Sequence, residues 1–299
     1  MLCLQYLIIG FGLIGSSIAK GVQKNNLSKK ITVFDTDKTV KKRIVSSKFK
    51  HVYHVAKIEN AISDADLIII CIPVLEYERV FINIAKHGKS NVIVTDVGST
   101  KSNIVKLFNK NFKSKFSYVP SHPIAGTEKS GLENGFPELF HNRYNIICPT
   151  DNKKTKNVIT IKKFWENLGM QVDILSAKEH DRILGITSHL PHLLAYSLVR
   201  TAMKTEKSMK SNIIKYSAGG FRDFTRITEN NPNMWRDVFL ANEKIIVELS
   251  KSLIKEIKEF GQDMTKKQSS KLHTKLNETR KVRKGIIKAK MAGKFIPND

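Results

Sequence analysis

Residues 5–15 read QYLIIGFGLIG, and this stretch decides the fold. The apolar run QYLIIG reads as a short strand buried on both faces. GFGLIG (10–15) then spaces three glycines as G-x-G-x-x-G, and GLIGSSIAKGVQKNN (12–26) continues with helical periodicity. Strand, glycine turn and helix in that order are the context in which this spacing forms a dinucleotide site. Gly10 permits the tight turn. Gly12 lets the main chain approach a pyrophosphate resting on the helix N-terminus, and Gly15 allows close helix–strand packing. Phe11, Leu13 and Ile14 complete the cofactor-binding turn. The next strand, KITVFD (30–35), ends on Asp35, twenty residues past Gly15. A carboxylate there accepts hydrogen bonds from ribose hydroxyls and repels a 2′-phosphate. With TDK (36–38) following and no adjacent arginine, the expected cofactor is NAD rather than NADP.

Outward from this unit, strand-like and helix-like segments alternate. ADLIIICIP (65–73), NVIVTDVGS (91–99), FSYVPSHP (116–123), NRYNIICPT (142–150) and MQVDILS (170–176) read as strands. VLEYERVFINIAKHG (74–88), STKSNIVKLFNKNF (99–112) and TKNVITIKKFWENLG (155–169) read as helices. The alternation implies right-handed crossovers and a mainly parallel sheet. Near Ala177 the pattern turns helical, with EHDRILGITSHLPHLLAYSLVRTAM (179–203) and NMWRDVFLANEKIIVELSKSLIKEIKEFGQDM (233–264). A boundary at about residue 176 is therefore expected, with an α/β domain over 1–176 and an all-α domain over 177–299. Long amphipathic helices without a sheet suit a domain that packs on a partner as well as on the first domain.

A dinucleotide on the glycine turn lies over the carboxyl ends of the strands. Those ends carry CIPV (71–74), DVGST (96–100) and SHPIAG (121–126). Cys71 and Pro73 are thereby placed at the cofactor, and His122 near its nicotinamide. An isolated histidine more often caps a strand or faces water; position in this crevice favours a functional one.

The 299 residues include 51 Lys and Arg against 27 Asp and Glu, a formal net charge of +24. That balance attracts polyanions. The lysines are nevertheless spread along the chain, as at Lys153, Lys154 and Lys156, and denser only from Lys266 to Lys294. Without a zinc pattern, aromatic ribonucleoprotein motif or basic zipper, they read as a solvated surface, and no nucleic-acid partner is expected. Cys3, Cys71 and Cys148 form neither a disulfide framework nor metal spacing, which fits a reducing cytoplasm. MLCLQYLIIGFGLIGSSIA (1–19) has no basic leader and carries the glycines, so strand and turn explain it better than a signal peptide. No other apolar run has the length of a membrane span.

GFGLIG, DVGSTK, SHPIAGTEKSG (121–131), EHD (179–181), SHLPH (188–192), GGFRDFTRI (219–227) and NPNMWRDVF (231–239) together resemble the prephenate dehydrogenase family, which includes cyclohexadienyl and arogenate dehydrogenases. The resemblance runs in order over nearly the whole chain. It implies a Rossmann domain followed by a helical dimerisation domain, a homodimer, and NAD-dependent oxidative decarboxylation of prephenate to 4-hydroxyphenylpyruvate, of arogenate to tyrosine, or of both. It makes His122 the group that accepts or polarises the proton of the ring hydroxyl as hydride leaves, a task suited to neutral imidazole. Ser99 resembles the family serine near the nicotinamide, where it can orient that imidazole.

For substrate, the resemblance selects Arg226, whose planar fork grips a carboxylate bidentately. Gly219 and Gly220 allow close approach of the backbone. Thr127 and Glu128 resemble polar residues at the pocket mouth, and an ion pair of Glu128 with Arg226 can act as a gate. His192 is expected on the substrate side, His189 in a structural role, and His180 at a helix start or interdomain contact. Trp235 resembles a tryptophan near the pocket, with core packing an equal alternative. No further ligands at suitable spacing accompany the two SHLPH histidines, so no metal is expected. The residues after the helical domain leave no room for a regulatory ACT domain, nor is a chorismate mutase segment seen, so any feedback by tyrosine is expected at the active site. Two rival readings are a β-hydroxyacid-type dehydrogenase, which wants a catalytic lysine where SHLPH stands, and a non-catalytic NAD-binding protein. The motifs do not separate prephenate from arogenate.

Overall fold

The strand β1 (Tyr6–Ile9) shows how the first layer is built, because alternate side chains feed two cores. Tyr6 and Ile8 pack with Ile18, Val22 and Trp165, whereas Leu7 and Ile9 pack with Ile62, Phe81 and Tyr118. A strand covered on both faces must be apolar throughout, which is why YLII carries no polar residue. The computed structural model describes residues 4–28, 30–47, 49–127, 129–151 and 155–288.

From β1 the chain runs through α1 (Leu13–Lys24), β2 (Ile31–Phe34), α2 (Val40–Ser46), β3 (Val52–His54), α3 (Ile58–Asp64), β4 (Leu67–Ile70), α4 (Tyr77–His87), β5 (Ile93–Asp96), α5 (Ser102–Asn111) and β6 (Ser117–Val119). These strands form one parallel sheet in the order β3-β2-β1-β4-β5-β6. Strand order reverses between β1 and β4, so the crevice beyond their carboxyl ends is the ligand-binding edge. The strand β3 and the helices beside it have no counterpart in the sequence reading. Three residues, of which only Val52 is buried, give too little periodicity to register.

The expected strand 116–123 is two strands, because Pro120 divides it. Proline cannot donate to a ladder. Its carbonyl instead accepts the Cys148 N–H at 2.9 Å. The chain passes there into a second sheet of β7 (Ser121–Pro123), β8 (Tyr144–Ile147) and β9 (Gln171–Ile174), with α6 (Lys156–Asn167) between the last two. β7 pairs antiparallel to β8, and β8 parallel to β9. His122 is thus carried on a short strand just past the end of β6.

All-helical structure follows: α7 (Ala177–Leu184), a π-helical turn over Gly185–His189, α8 (Leu190–Met209), α9 (Gly219–Thr225), α10 (Pro232–Ala241), α11 (Glu243–Thr265) and α12 (Ser269–Lys288). The single helix expected over 179–203 is split by the π turn. Pro191, in the first turn of α8, offers no N–H, and its ring crowds the preceding carbonyls, which widens the coil. The helix expected over 233–264 breaks at Asn242, whose side chain leaves the helix to bond elsewhere. The chain forms two compact units, Met1–Ile245 and Ile246–Asp299. In the second, Lys275 ties α12 to Asp263 of α11 at 2.9 Å. Among the described residues no helix is long and apolar enough to cross a membrane.

One buried polar cluster fixes the carboxyl ends of β5 and β6. Asp96 and Lys101 are fully buried and paired at 2.6 Å. Asp96 Oδ2 also accepts from Tyr77 OH at 3.0 Å and Gly98 N–H at 2.8 Å. Its Oδ1 accepts from Tyr118 OH at 2.9 Å and Ser121 N–H at 3.0 Å. Lys101 Nζ donates a second bond to the Gly98 carbonyl at 2.6 Å. Ser121 Oγ in turn meets Thr95 Oγ1 at 2.6 Å and accepts from Trp165 Nε1 at 3.1 Å. Removing one member of a buried ion pair strands the other charge. We expect Lys101→Met to cost about 3–5 kcal/mol. Asp96→Asn in the same chain should recover part of that loss, because the stranded charge is gone. Urea unfolding of the two single variants and the double variant checks this, and strict additivity would contradict it.

Candidate active site

The glycine turn shows why each glycine stands where it does. Gly10 has φ +90°, and a Cβ there would lie 2.5 Å from the Cys71 carbonyl oxygen. A Cβ on Gly15 would overlap the Gly10 carbonyl oxygen. Gly12 is different: nothing lies within 4 Å of where its Cβ would be. It is the N-cap of α1, with no side-chain cap and no acidic residue in the first turn. The N-terminal amides of this twelve-residue helix are therefore left for a ligand, and an anion is the ligand they favour. Asp35, at the end of β2, accepts from the Phe11 N–H at 2.7 Å and the Asp37 N–H at 2.8 Å. It holds the glycine turn while keeping acceptor capacity for hydroxyls. These features fit a dinucleotide. Leu13 and Ile14 open α1 and are half-buried, and Pro73 is exposed beyond β4. The Phe11 side chain points inward against Phe49, so only its main chain faces this site. Cys71 is half-buried, and burial together with the Asp96 charge pushes its thiol up, keeping it protonated.

His122 lies on β7 and is nine-tenths buried. Its Nδ1 meets His180 Nε2 at 2.8 Å, and His180 Nδ1 meets Asp181 Oδ1 at 2.8 Å. Asp181 is itself held by main-chain donors: Lys101 N–H at 2.8 Å and Ser102 N–H at 2.7 Å, the latter opening α5. A capping box between Ser176 and Glu179 starts α7 and turns His180 and Asp181 inward. Burial holds His122 well below the usual histidine range, and the neighbouring His180, Lys101 and His189 act in the same direction. His180 is also lowered, mainly by burial, although Asp181 opposes the shift. The partner of the His122 imidazole is thus His180 rather than Ser99. Ser99 is half-buried in the β5–α5 turn, with its main chain beside His189.

The helical part adds a second cluster. His192 on α8 stacks on Trp235 of α10, with ring centroids 3.5 Å apart and planes 19° from parallel. Its Nδ1 donates to the Ser188 carbonyl at 2.8 Å, which leaves Nε2 to face outward from that bond. Trp235 is buried, and its Nε1 has no hydrogen-bond partner among the described residues. His189, three residues before His192, points elsewhere: its Nδ1 meets Asn242 Nδ2 at 3.0 Å. Asn242 also donates to the Asp181 carbonyl at 2.9 Å, tying the end of α10 to α7. Gly219 and Gly220 open α9 with free space on their Cα atoms. Arg226 is exposed where α9 ends, and Arg222 is exposed one turn earlier. Thr127 is half-buried and accepts from the Lys129 N–H at 3.2 Å. Glu128 lies outside the described residues. Among the described residues no group of three or more His, Cys, Asp or Glu is placed to hold a metal ion.

The structure therefore brings together His122, His180 and Asp181 in one chain, and His192 with Trp235 in another. Sequence reasoning missed Asp181, Lys101 and Asn242. The one local signal was the EHD triplet next to a capping-box pattern, and it says nothing of what α7 faces.

Comparison with known proteins follows the same outline. A model described as prephenate dehydrogenase, nucleotide-binding domain, matches residues 18–174, and one described as prephenate dehydrogenase, dimerization domain, matches 176–278. The cyclohexadienyl dehydrogenase of Zymomonas mobilis is 33% identical over 276 residues, covering 92% of this chain and 94% of its own length. The prephenate dehydrogenase of Lactococcus lactis is 34% identical over 289 residues, covering 94% and 77% respectively. A crystal structure of A. aeolicus prephenate dehydrogenase in complex with hydroxyphenyl propionate and NAD+ matches with a TM-score of 0.88 at 29% identity. That match covers 96% of this chain and 99% of the other.

The buried histidines have a consequence for stability. Burial lowers His189 to about 4 and depresses His122 and His180 as well. Above the ordinary value of about 6.5 these groups are neutral whether folded or unfolded. As pH falls below it, the unfolded chain takes up protons that the folded chain refuses, so stability is lost between about pH 6.5 and 4. His189 alone accounts for a loss on the order of 3 kcal/mol. Urea midpoints measured from pH 7.5 down to 4.5 should fall, and His189→Asn should flatten the slope. A midpoint that stays level over that range would count against buried neutral histidines.

Proposed function

The chain belongs to the prephenate dehydrogenase family, and on that premise we propose that it decarboxylates prephenate to 4-hydroxyphenylpyruvate, arogenate to tyrosine, or both, with NAD as oxidant, in tyrosine biosynthesis. Membership does not favour the β-hydroxyacid alternative. The observation that carries the reading is His122: a buried, uncharged imidazole just past the carboxyl end of β6, on the sheet edge that also carries the turn shaped for a dinucleotide.

NAD supplies the hydride acceptor. Gly10, Gly12, Gly15 and the α1 amides would hold its pyrophosphate, Asp35 its ribose hydroxyls, and the Cys71–Pro73 segment would flank it. His122 Nε2 accepts the proton of the ring hydroxyl as the hydride departs. The ring carboxylate leaves as carbon dioxide, its electron pair completes the aromatic ring, and His122 returns the proton to the phenolate oxygen. A neutral imidazole is required at the start, and burial provides one. Ser99, in the β5–α5 turn, would limit where the nicotinamide settles. Arg226 takes a substrate carboxylate with Gly219 close by. His192, held by Ser188 and stacked on Trp235, takes the side-chain end, and Thr127 and Glu128 form the mouth.

The domain boundary in this reading is residue 176, giving 1–176 to the cofactor and 177–299 to substrate and dimerisation. Exposed apolar residues on the helices, among them Leu198, Met203 and Leu240, support a homodimer. Free Cys71 and Cys148 support a cytoplasmic location. The lysines serve as a solvated surface, with no role for nucleic acid.

With prephenate and with arogenate, the purified chain should reduce NAD and release carbon dioxide, and NADP should be the poorer oxidant because a 2′-phosphate meets Asp35. His122→Asn should keep NAD binding and lose roughly 10²–10⁴-fold in kcat. No turnover with either acid, or full turnover in His122→Asn, would refute the assignment. Arg226→Ala should raise KM roughly ten- to several-hundredfold, as expected for a lost charge-assisted contact of about 1.5–3 kcal/mol or more. Lysine at 226 should rescue only partly, since it keeps the charge without the fork. Arg222→Ala should matter less; a reversal of the two alanine effects would move the carboxylate site to Arg222.

A further inference from the structure

We infer that Asp181 and His180 are positioning residues for His122, forming a chain of three side chains that fixes which imidazole nitrogen of His122 faces the substrate. The inference rests on the reading of His122 as proton acceptor.

The direction of the chain follows from counting donors. Asp181 receives main-chain N–H groups on both oxygens, from Lys101 on Oδ1 and from Ser102 on Oδ2. The second stands at the N-terminus of α5, where negative charge is favoured. So placed, the carboxylate is ionised and can only accept. Burial raises it while its hydrogen bonds from His180 and Ser102 lower it, with a net fall. His180 Nδ1, 2.8 Å away, must therefore carry a proton and donate it to Asp181. In a neutral imidazole the other nitrogen is then a bare acceptor. That atom, His180 Nε2, is 2.8 Å from His122 Nδ1, which must donate. His122 Nε2 is left without a proton, as a base requires. The two rings meet edge-on, with centroids 5.1 Å apart and planes at 61°. Such a meeting suits an in-plane N–H pointing at a lone pair.

The reverse arrangement would need a proton on both nitrogens of His180. That ring is fully buried, and the Lys101 ammonium lies near enough to oppose the added charge. When His122 accepts the hydroxyl proton, its Nδ1–H keeps its bond to His180, and the new positive charge is buffered toward Asp181. The proton itself does not travel down the chain. Charge in a dry site is stabilised by oriented partners that need not rearrange. The three residues come from β7 and α7, and the two amides from the β5–α5 junction. The dyad therefore fixes the tautomer only when these three parts of the chain are docked together.

Replacing Asp181 by asparagine tests the direction. One face of the amide must present N–H where a main-chain N–H already points. In the Oδ1 position the amide nitrogen faces the Lys101 N–H and can donate to His180 Nδ1, which reverses the whole chain and puts the proton on His122 Nε2; in the Oδ2 position it faces the Ser102 N–H and the chain loses its anchoring charge. A base with the wrong tautomer is the recognised cost of this kind of change. Asp181→Asn should lower kcat roughly 10²–10⁴-fold, with KM for NAD changed by less than about threefold. His180→Gln retains an acceptor for His122 Nδ1 and should keep part of the turnover that His180→Leu loses. The decisive measurement is on the full chain labelled with 15N-histidine: imidazole nitrogen shifts should show His122 protonated at Nδ1 in the wild type. His122→Asn assigns the resonance and serves as the kinetic reference. If His122→Asn loses turnover while Asp181→Asn and His180→Leu keep it, the dyad is structural and the inference falls while the catalytic reading stands. If His122→Asn keeps turnover, the catalytic reading falls instead. A wild-type spectrum with the proton on His122 Nε2 overturns the inference whatever the fate of the variants.

Discussion

The fully buried Asp96–Lys101 ion pair is the contact on which the site depends. An unpaired charge in that position would not be tolerated, and a pair without further hydrogen bonds would be costly. Asp96 meets this demand by accepting from Tyr77, Gly98, Tyr118 and Ser121 as well as Lys101. The donors come from four segments: α4, the β5–α5 turn that carries both Gly98 and Lys101, β6 and β7. The β5–α5 turn that carries Ser99, the end of β6 and the start of β7 are thereby held to one another. Because Ser121 N–H is one of the donors, the strand that bears His122 is located by the same carboxylate.

Lys101 links this cluster to the helical part of the chain. Its ammonium closes the Asp96 pair, while its main-chain N–H, with that of Ser102, receives Asp181. One residue thus serves a buried charge with its side chain and orients another with its backbone. Asn242 closes the arrangement from the far side by bonding both the Asp181 carbonyl and His189. The histidines in between are kept neutral by exclusion of water. That neutrality is a cost to stability at acid pH, and the proposed proton transfer at His122 requires it near neutrality.

The two halves of the site use different means to orient imidazole. His122 is held by another ring backed by a carboxylate, inside the protein. His192 is held by a main-chain carbonyl and by stacking on an indole, where the helix has been widened to a π turn ahead of Pro191. The first arrangement controls protonation. The second controls position while leaving a nitrogen available to a ligand.

Much of this molecule was legible in the residues. The G-x-G-x-x-G turn after an apolar strand, Asp35 at the end of the next, and the alternation up to Ser176 are local patterns, because burial and main-chain sterics impose a period on the chain within a few residues. The motifs resembling prephenate dehydrogenase identified the family for the same reason: each is a short segment shaped by one local demand. Tertiary structure decided what contacts over long separations decide. Pro120 stood inside what read as a single strand over 116–123; that it divides the strand and delivers β7 to a second sheet goes with the bond from Cys148 to its carbonyl. His180 could be seen at a helix start, but that it reaches His122, 58 residues earlier, depends on how α7 docks. Lys101 looked like one lysine among many in a chain of charge +24, and only the fold shows that it is the one sealed beside Asp96. Side-chain chemistry is written residue by residue, but which groups share a dry space is settled by packing, and packing decides protonation.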